Sequence, residues 1–194
     1  AIAHAARAQL AYAAVLIAVA RKAFPDEWRS LKIHVPTIAC WVGYDLDGRA
    51  DIHWSQSLTF RLTEKSVQLG RYAAQLEAIS GSQKIAALAR LTQRLKSAAE
   101  DTARQAALFA ADLTDPNNLV PAANALTEHD KRTILDASEI IEVLDTEIPQ
   151  ATDSLAAELM AIRAQAEALQ LGTARIHLRV NAAQVRTVIN RDLG

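Results

Sequence analysis

The stretch VPTIACWVGYDLDGRADIHW, Val35 to Trp54, breaks the rhythm of a chain that is otherwise alanine-rich and helical in spacing. Its first eight residues, Val35 to Val42, are a short apolar run with β-branched members, which predicts a buried strand. Pro36 belongs at its start, where a missing N–H costs least. The polar turn G-Y-D-L-D-G, Gly43 to Gly48, follows, and Ser55 is placed to cap a helix after it. Whatever lies on either side must therefore accommodate at least one strand.

Downstream, Leu58, Leu62, Leu69, Tyr72, Leu76 and Ile79 recur at steps of three and four and form one helix face. Ser80-Gly81-Ser82 interrupts it, and Ser80 with Gln83 suits a capping box for the next helix. Leu88, Leu91, Leu95, Ala98, Thr102, Ala106 and Phe109 continue the rhythm to about Ala111. The two segments predict an antiparallel hairpin over about 55–111. Asp115-Pro116-Asn117-Asn118 reads as a loop. Thr127 is expected to cap a helix running to about Asp145, with Ile134, Ile141 and Leu144 inward, before Pro149. Thr152 or Asp153 opens another helix, with Leu155, Leu159, Ile162, Ala166 and Leu169 inward and Gly172 in the C′ position. Arg175-Ile176-His177-Leu178-Arg179-Val180 then alternates polar and apolar, which predicts a second strand with one basic face. Residues 183–192 close the chain as a short helix.

Upstream, residues 3–23 predict a helix that is apolar on most sides and stopped by Pro25. Its run from Ala8 to Ala20 is too short to cross a bilayer, which takes ~20 residues. Arg21 and Lys22 directly after it fit poorly with a leader cleavage site, so a buried helix is expected. The fold class is thus mainly α, with long helices and two or so short strands, in a single domain over 1–194.

The chain has 194 residues, 51% of them apolar but only 5% aromatic, a balance of packed helices rather than a sandwich of strands. A formal charge of −1 without single-sign blocks carries no bias toward nucleic acid or an anionic membrane. The single cysteine, Cys40, permits no intramolecular disulfide, consistent with a reducing, cytoplasmic setting. The start at AIAHAARAQ without an initiator Met and the end at VINRDLG suggest a segment of a longer protein.

Asp45 and Asp47 resemble the opening of a calcium loop, but position 6 is Ala50 and position 12 is Gln56, where glycine and glutamate are required. A magnesium–phosphate role for the two aspartates is chemically possible. So is a plain turn whose carboxylates bond backbone amides. No G-x-G-x-x-G, G-x-x-x-x-G-K-[ST] or G-x-S-x-G occurs. His53 beside Trp54 reads as a packed or capping residue rather than a base.

The segment W-V-G-Y-D-L-D-G-R-A-D-I resembles the W-M-G-G-D-R-D-G-N-P-N-V segment of the phosphoenolpyruvate carboxylase family. Trp41, Gly43, Asp45, Asp47 and Gly48 match. L-G-T-A-R-I-H-L-R-V-N, Leu171 to Asn181, is similar to that family's F-G-x-x-L-V-R-L-D-I-R strand. The resemblance implies that the two strands are neighbours in a (β/α)8 barrel, with the helices between them as a large insertion. It puts the G-Y-D-L-D-G loop at the C-terminal end of a strand, where such barrels place their chemistry. Trp41, Gly43, Asp45, Asp47 and Gly48 are then the candidate active-site loop. Arg175, His177 and Arg179 are the candidate substrate-facing strand, for which an exposed basic edge is the other reading.

By the same resemblance, the parent protein would use magnesium to join bicarbonate to phosphoenolpyruvate, giving oxaloacetate and phosphate, and would be a homo-oligomer. Two departures stand out. The family's arginine between the aspartates is Leu46 here, and R-L-D-I-R becomes His177-Leu178-Arg179-Val180-Asn181. Replacing guanidinium by leucine removes a bidentate anion contact. The family's catalytic histidine segment and metal-binding acids are not in this chain, which by itself is expected to be inactive and to bind no metal. The alternatives are a catalytically silent homologue with a regulatory or scaffold role, and an unrelated helical interaction module with 58–111 as its docking hairpin.

Overall fold

A computed structural model describes residues 2–40, 44, 51–80, 85–128, 131–177 and 181–192. Among them are α1 (Ile2–Ala23), β1 (Ala39–Cys40), α2 (Trp54–Ser80), α3 (Ala86–Phe109), α4 (Pro116–Thr127), α5 (Ser138–Glu147), α6 (Asp153–Leu169), β2 (Arg175–Ile176) and α7 (Ala182–Asp192). A single 3-10 turn, Trp28–Ser30, follows α1. The protein is mainly helical, with two short strands that pair in parallel.

The architecture is organised around α6. Of its 17 residues, Leu155, Ala156, Leu159, Met160, Ala161, Ile162, Ala164, Gln165, Ala166 and Leu169 are all buried. A helix with that many buried positions must be covered on most sides. Helices α1, α2 and α5 and the Trp28 turn cover it. The core they enclose contains Ile17, Leu69, Tyr72, Leu76, Leu88, Leu95, Ile140 and Leu144. The α2–α3 hairpin runs antiparallel, as the pairings of Glu77 with Lys96 and of Ser66 with the Ala99 carbonyl require. A second, smaller core of Leu62, Ala106, Phe109 and Ala122 closes the far end of the hairpin against α4.

One buried glutamine, Gln165, bridges α1 and α2 inside this apolar frame. The Gln165 amide donates to the Ala6 carbonyl at 3.2 Å and accepts from Gln75 at 3.2 Å. Gln9 donates to the Pro36 carbonyl at 2.7 Å, fixing the segment that leads into β1. Outside the core, Arg21 and Arg29 lie 5.6 and 5.4 Å from the Trp28 ring, within cation–π range. Both also bond Asp153, the first residue of α6. That carboxylate faces the positive end of the helix as well.

Several boundaries differ from those read in the sequence. Asp115-Pro116 is not a loop: the Asp115 carboxylate accepts from Asn117 N and caps α4, with Pro116 in the first turn. Thr127 is the last residue of α4 rather than the cap of the next helix, and its hydroxyl donates back to the Ala123 carbonyl. Helix α5 begins only at Ser138. Helix α2 starts at Trp54, so Ser55 lies inside it; Gln56 accepts from His53 N as half of a capping box, which makes His53 the capping residue. Helix α3 starts after Ile85 without a side-chain cap, and Gln83 of the expected Ser80–Gln83 box lies outside the described residues. Among the described residues, strand pairing covers two residues in each strand: Val35–Ile38 is not strand, and residues 41–43 and 178–180 lie outside the described set. Helix α1 is buried along one stripe through Ala13, Ile17 and Ala20, but Tyr12, Val15 and Val19 on its outer side are exposed. Among the described residues, no helix is long and apolar enough to cross a membrane.

Two outcomes test this packing. Leu159→Ala, at a fully buried position of α6, is expected to lower unfolding free energy by about 2–5 kcal/mol in a urea titration. For Asp153, the hydrogen bond from Arg29, reinforced by the charge of Arg21, holds the carboxyl below its ordinary value. Its contribution is therefore present above about pH 4 and disappears as pH falls through the depressed folded value. Asp153→Asn is expected to lower the urea midpoint at pH 7, and the gap to the native protein is expected to close as the titration is moved below about pH 3.

Candidate functional site

The site begins with the strand pair. Arg175 N donates to the Ile38 carbonyl at 2.7 Å and His177 N to the Cys40 carbonyl at 3.0 Å, with Ala39 opposite Arg175 and Cys40 opposite Ile176. Because the pair is parallel, both strands run out toward the same edge. Cys40 and Ile176, the last residues of the two strands, therefore lie side by side. Arg175 and His177 are exposed and Ile176 is half-buried, as the alternation predicts. Of the residues singled out in the sequence, Trp41, Gly43, Asp45, Asp47, Gly48 and Arg179 lie outside the described residues.

Tyr44 is the member of that loop whose place is defined, and it is buried. Its hydroxyl donates to Glu64 Oε2 on α2 at 3.1 Å. The other carboxylate oxygen accepts from the Thr173 hydroxyl at 3.3 Å, two residues before β2. Arg61, one turn earlier on α2, lies 3.6 Å from Glu64 Oε2. Burial first, and the Glu64 charge second, push the Tyr44 phenol above its ordinary range, so it remains a neutral donor. One carboxylate on α2 thus ties the segment after β1 to the segment before β2.

The turn between α6 and β2 supports this arrangement in an unforeseen way. Gly172 was the expected left-handed C′ residue, but the positive φ falls at Gln170, with φ 54° and ψ −127°. Its carbonyl accepts from the Tyr72 hydroxyl at 2.9 Å, which locks the turn onto α2. Gly172 serves close approach instead: a Cβ there would lie 2.6 Å from Arg61 Nη1. The guanidinium occupies that space and lines, with Arg175, Glu167 and Gln170, a cleft of about 650 Å³ beside β2. Asn181, where the resembling strand has arginine, accepts from Ala183 N at 2.8 Å and caps α7.

Sequence reasoning singled out Arg175 and His177, and the structure sets them on one exposed strand edge. It did not find Arg61, Glu64 or Thr173. The tyrosine in place of the resembling motif's second glycine was the available signal, since a large side chain at a tight turn needs somewhere to go. Among the described residues, no group of three or more His, Cys, Asp or Glu could hold a metal ion. No protein-family model, curated protein or solved structure matches this chain.

Gln170→Gly relieves a steric cost of about 1 kcal/mol but removes the side-chain oxygen that accepts from Ala137 N at 3.4 Å, so stability is expected to stay within about 1 kcal/mol of the native protein. The Tyr72 bond goes to the main chain and survives the change. The measurement is the shift of the urea midpoint at constant slope.

Proposed function

We propose that this chain is an internal segment of a phosphoenolpyruvate carboxylase-like protein. One observation carries the reading: the strands next to the two motif-bearing segments pair in parallel, with the helices between them as a single long connection. Neighbouring strands of a (β/α)8 barrel, one of them followed by a large helical insertion, have this arrangement. The loop after β1 and the chain after β2 then share the C-terminal mouth of the barrel.

In this reading the parent joins bicarbonate to phosphoenolpyruvate. The new carbon–carbon bond gives oxaloacetate, and phosphate leaves. It works in the cytoplasm as a homo-oligomer. Cationic groups at the mouth neutralise the phosphate and the enolate that develops as phosphate departs. Asp45 and Asp47 orient the loop and its cationic neighbours, and neither is the base. Arg175 and His177 present their polar edge to the anionic substrate. The described residues do not fit a magnesium site. By the resemblance, the metal and the proton-handling histidine belong to parts of the parent outside this chain, and no step is routed through them here. The exposed outer stripe of α1 faces the remainder of the parent.

A second reading keeps the family and drops the reaction. Leu46 cannot hold an anion, and the Asn181 side chain is engaged in capping α7. Both changes favour a silent homologue with a regulatory or scaffold role.

The deciding assay supplies the full-length parent with phosphoenolpyruvate, bicarbonate and magnesium and follows oxaloacetate by coupled reduction. Turnover is the expected outcome. Its absence from folded protein with the histidine segment intact overturns the carboxylase and leaves the silent homologue.

A further inference from the structure

Helices α1, α2 and α6 leave a groove of about 540 Å³ between them. Short side chains make the space: Ala14 and Ala18 of α1, Ala78 of α2, and Ala157 and Ala161 of α6 all line it. Its volume lies in the range of small-molecule sites, and its lining is apolar apart from Arg21, Gln75 and Glu158.

These three polar groups do not balance. Arg21 is occupied: its guanidinium bonds Asp153 and lies 5.6 Å from the Trp28 ring. Arg29 and Asp26 line the same adjoining hollow, so that group of two cations and two carboxylates sums to zero. Gln75 spends Nε2 on Gln165 Oε1 at 3.2 Å, and its own Oε1 is buried without a donor. Gln165 cannot turn over to change this, because its Nε2 is held by the Ala6 carbonyl at 3.2 Å. Glu158 is exposed at the groove, and among the described residues no cation pairs with its carboxylate. The groove thus carries one unbalanced negative charge on an apolar wall.

We propose that this groove binds a small organic cation, an alkylammonium, with its apolar body between the three helices and its ammonium at Glu158. Burial of the chain supplies affinity, and the carboxylate selects the sign of the head group. Gln165, the partner of Gln75, lies two turns from Glu158, about 10 Å along α6, which is near the span of an eight-carbon chain. Nothing in this site depends on the carboxylase-like reading.

The test titrates n-octylammonium, 1-octanol and octanoate into the full-length parent and its variants by isothermal calorimetry. One chain with three head groups separates apolar burial from charge. Octylammonium is expected to bind roughly fivefold tighter than octanol, the range of a surface ion pair, with octanoate weaker than both. Glu158→Gln is expected to bring octylammonium and octanol within about twofold of each other. Glu158→Lys reverses the order, so that octanoate binds tighter than octylammonium. Ala78→Phe fills the groove and abolishes binding of all three. Glu158 and Ala78 are both exposed, so each variant keeps its fold, checked by the urea midpoint.

A preference for octylammonium that is absent from the native protein, or that persists in Glu158→Gln, overturns the proposal. Binding that Ala78→Phe leaves intact places the chain elsewhere and overturns it too. If none of the three binds, the remainder of the parent covers the groove, and the proposal fails.

Discussion

The burial of α6 is the constraint on which the other elements depend. Ten of its 17 residues are buried, among them residues as different as Met160, Ala164 and Gln165. Such a helix is stable only when neighbours remove most of it from water. Helices α1, α2 and α5 therefore have to converge on it, and the chain arranges its local signals to let them. Asp153 at the N-terminus binds Arg21 and Arg29, which brings the end of α1 and the Trp28 turn onto α6. At the C-terminus, Gln170 accepts from Tyr72 and fixes α2. Between the two ends, Gln165 bonds the backbone of α1 and the side chain of Gln75. Apolar burial supplies the drive, and a few oriented polar bonds set the register.

The helical repeat was the most legible part of the fold. The inward residues read for α2, α3 and α6 are the ones that pack, because a period of 3.6 over many residues leaves little choice of face. Turns were less legible because their chemistry is ambiguous in one dimension. Asp115-Pro116 spells a loop and a helix start equally well, and only the bond to Asn117 N decides between them. Gly172 carries a residue type suited to positive φ, yet the conformation falls at Gln170, where side-chain and main-chain bonds hold it. The apolar run of α1 predicted a buried helix, yet α1 is buried along one stripe only, since a run of small and branched residues does not say how many neighbours a helix will find.

Legibility of the candidate site divides in the same way. Residues that repeat along a strand, such as Arg175 and His177, could be assigned to one face from alternation alone. Glu64 could not be found, because its partners at positions 44 and 173 are far apart in the chain and meet only after the hairpin is docked. Asn181 shows a related ambiguity. A substitution that looks like a lost anion contact also turns out to be a good helix cap. Chemistry that is spread over α2 and the ends of two strands is encoded in tertiary placement, which a local pattern does not carry.

The pairing of Ala39 with Arg175 also bears on the order in which the protein assembles. Joining points about 136 residues apart carries a closure entropy that a short pair of strands cannot repay on its own. Near-neighbour contacts, such as those of the α2–α3 hairpin and of α5 with α6, cost far less to close. The helices must therefore collapse first and carry the strand ends into range, leaving the parallel pair as a late event. During that interval the strand edges remain unpaired. A chain arrested there presents open backbone donors and acceptors to its neighbours, so the most vulnerable moment of its biogenesis falls just before the strands join.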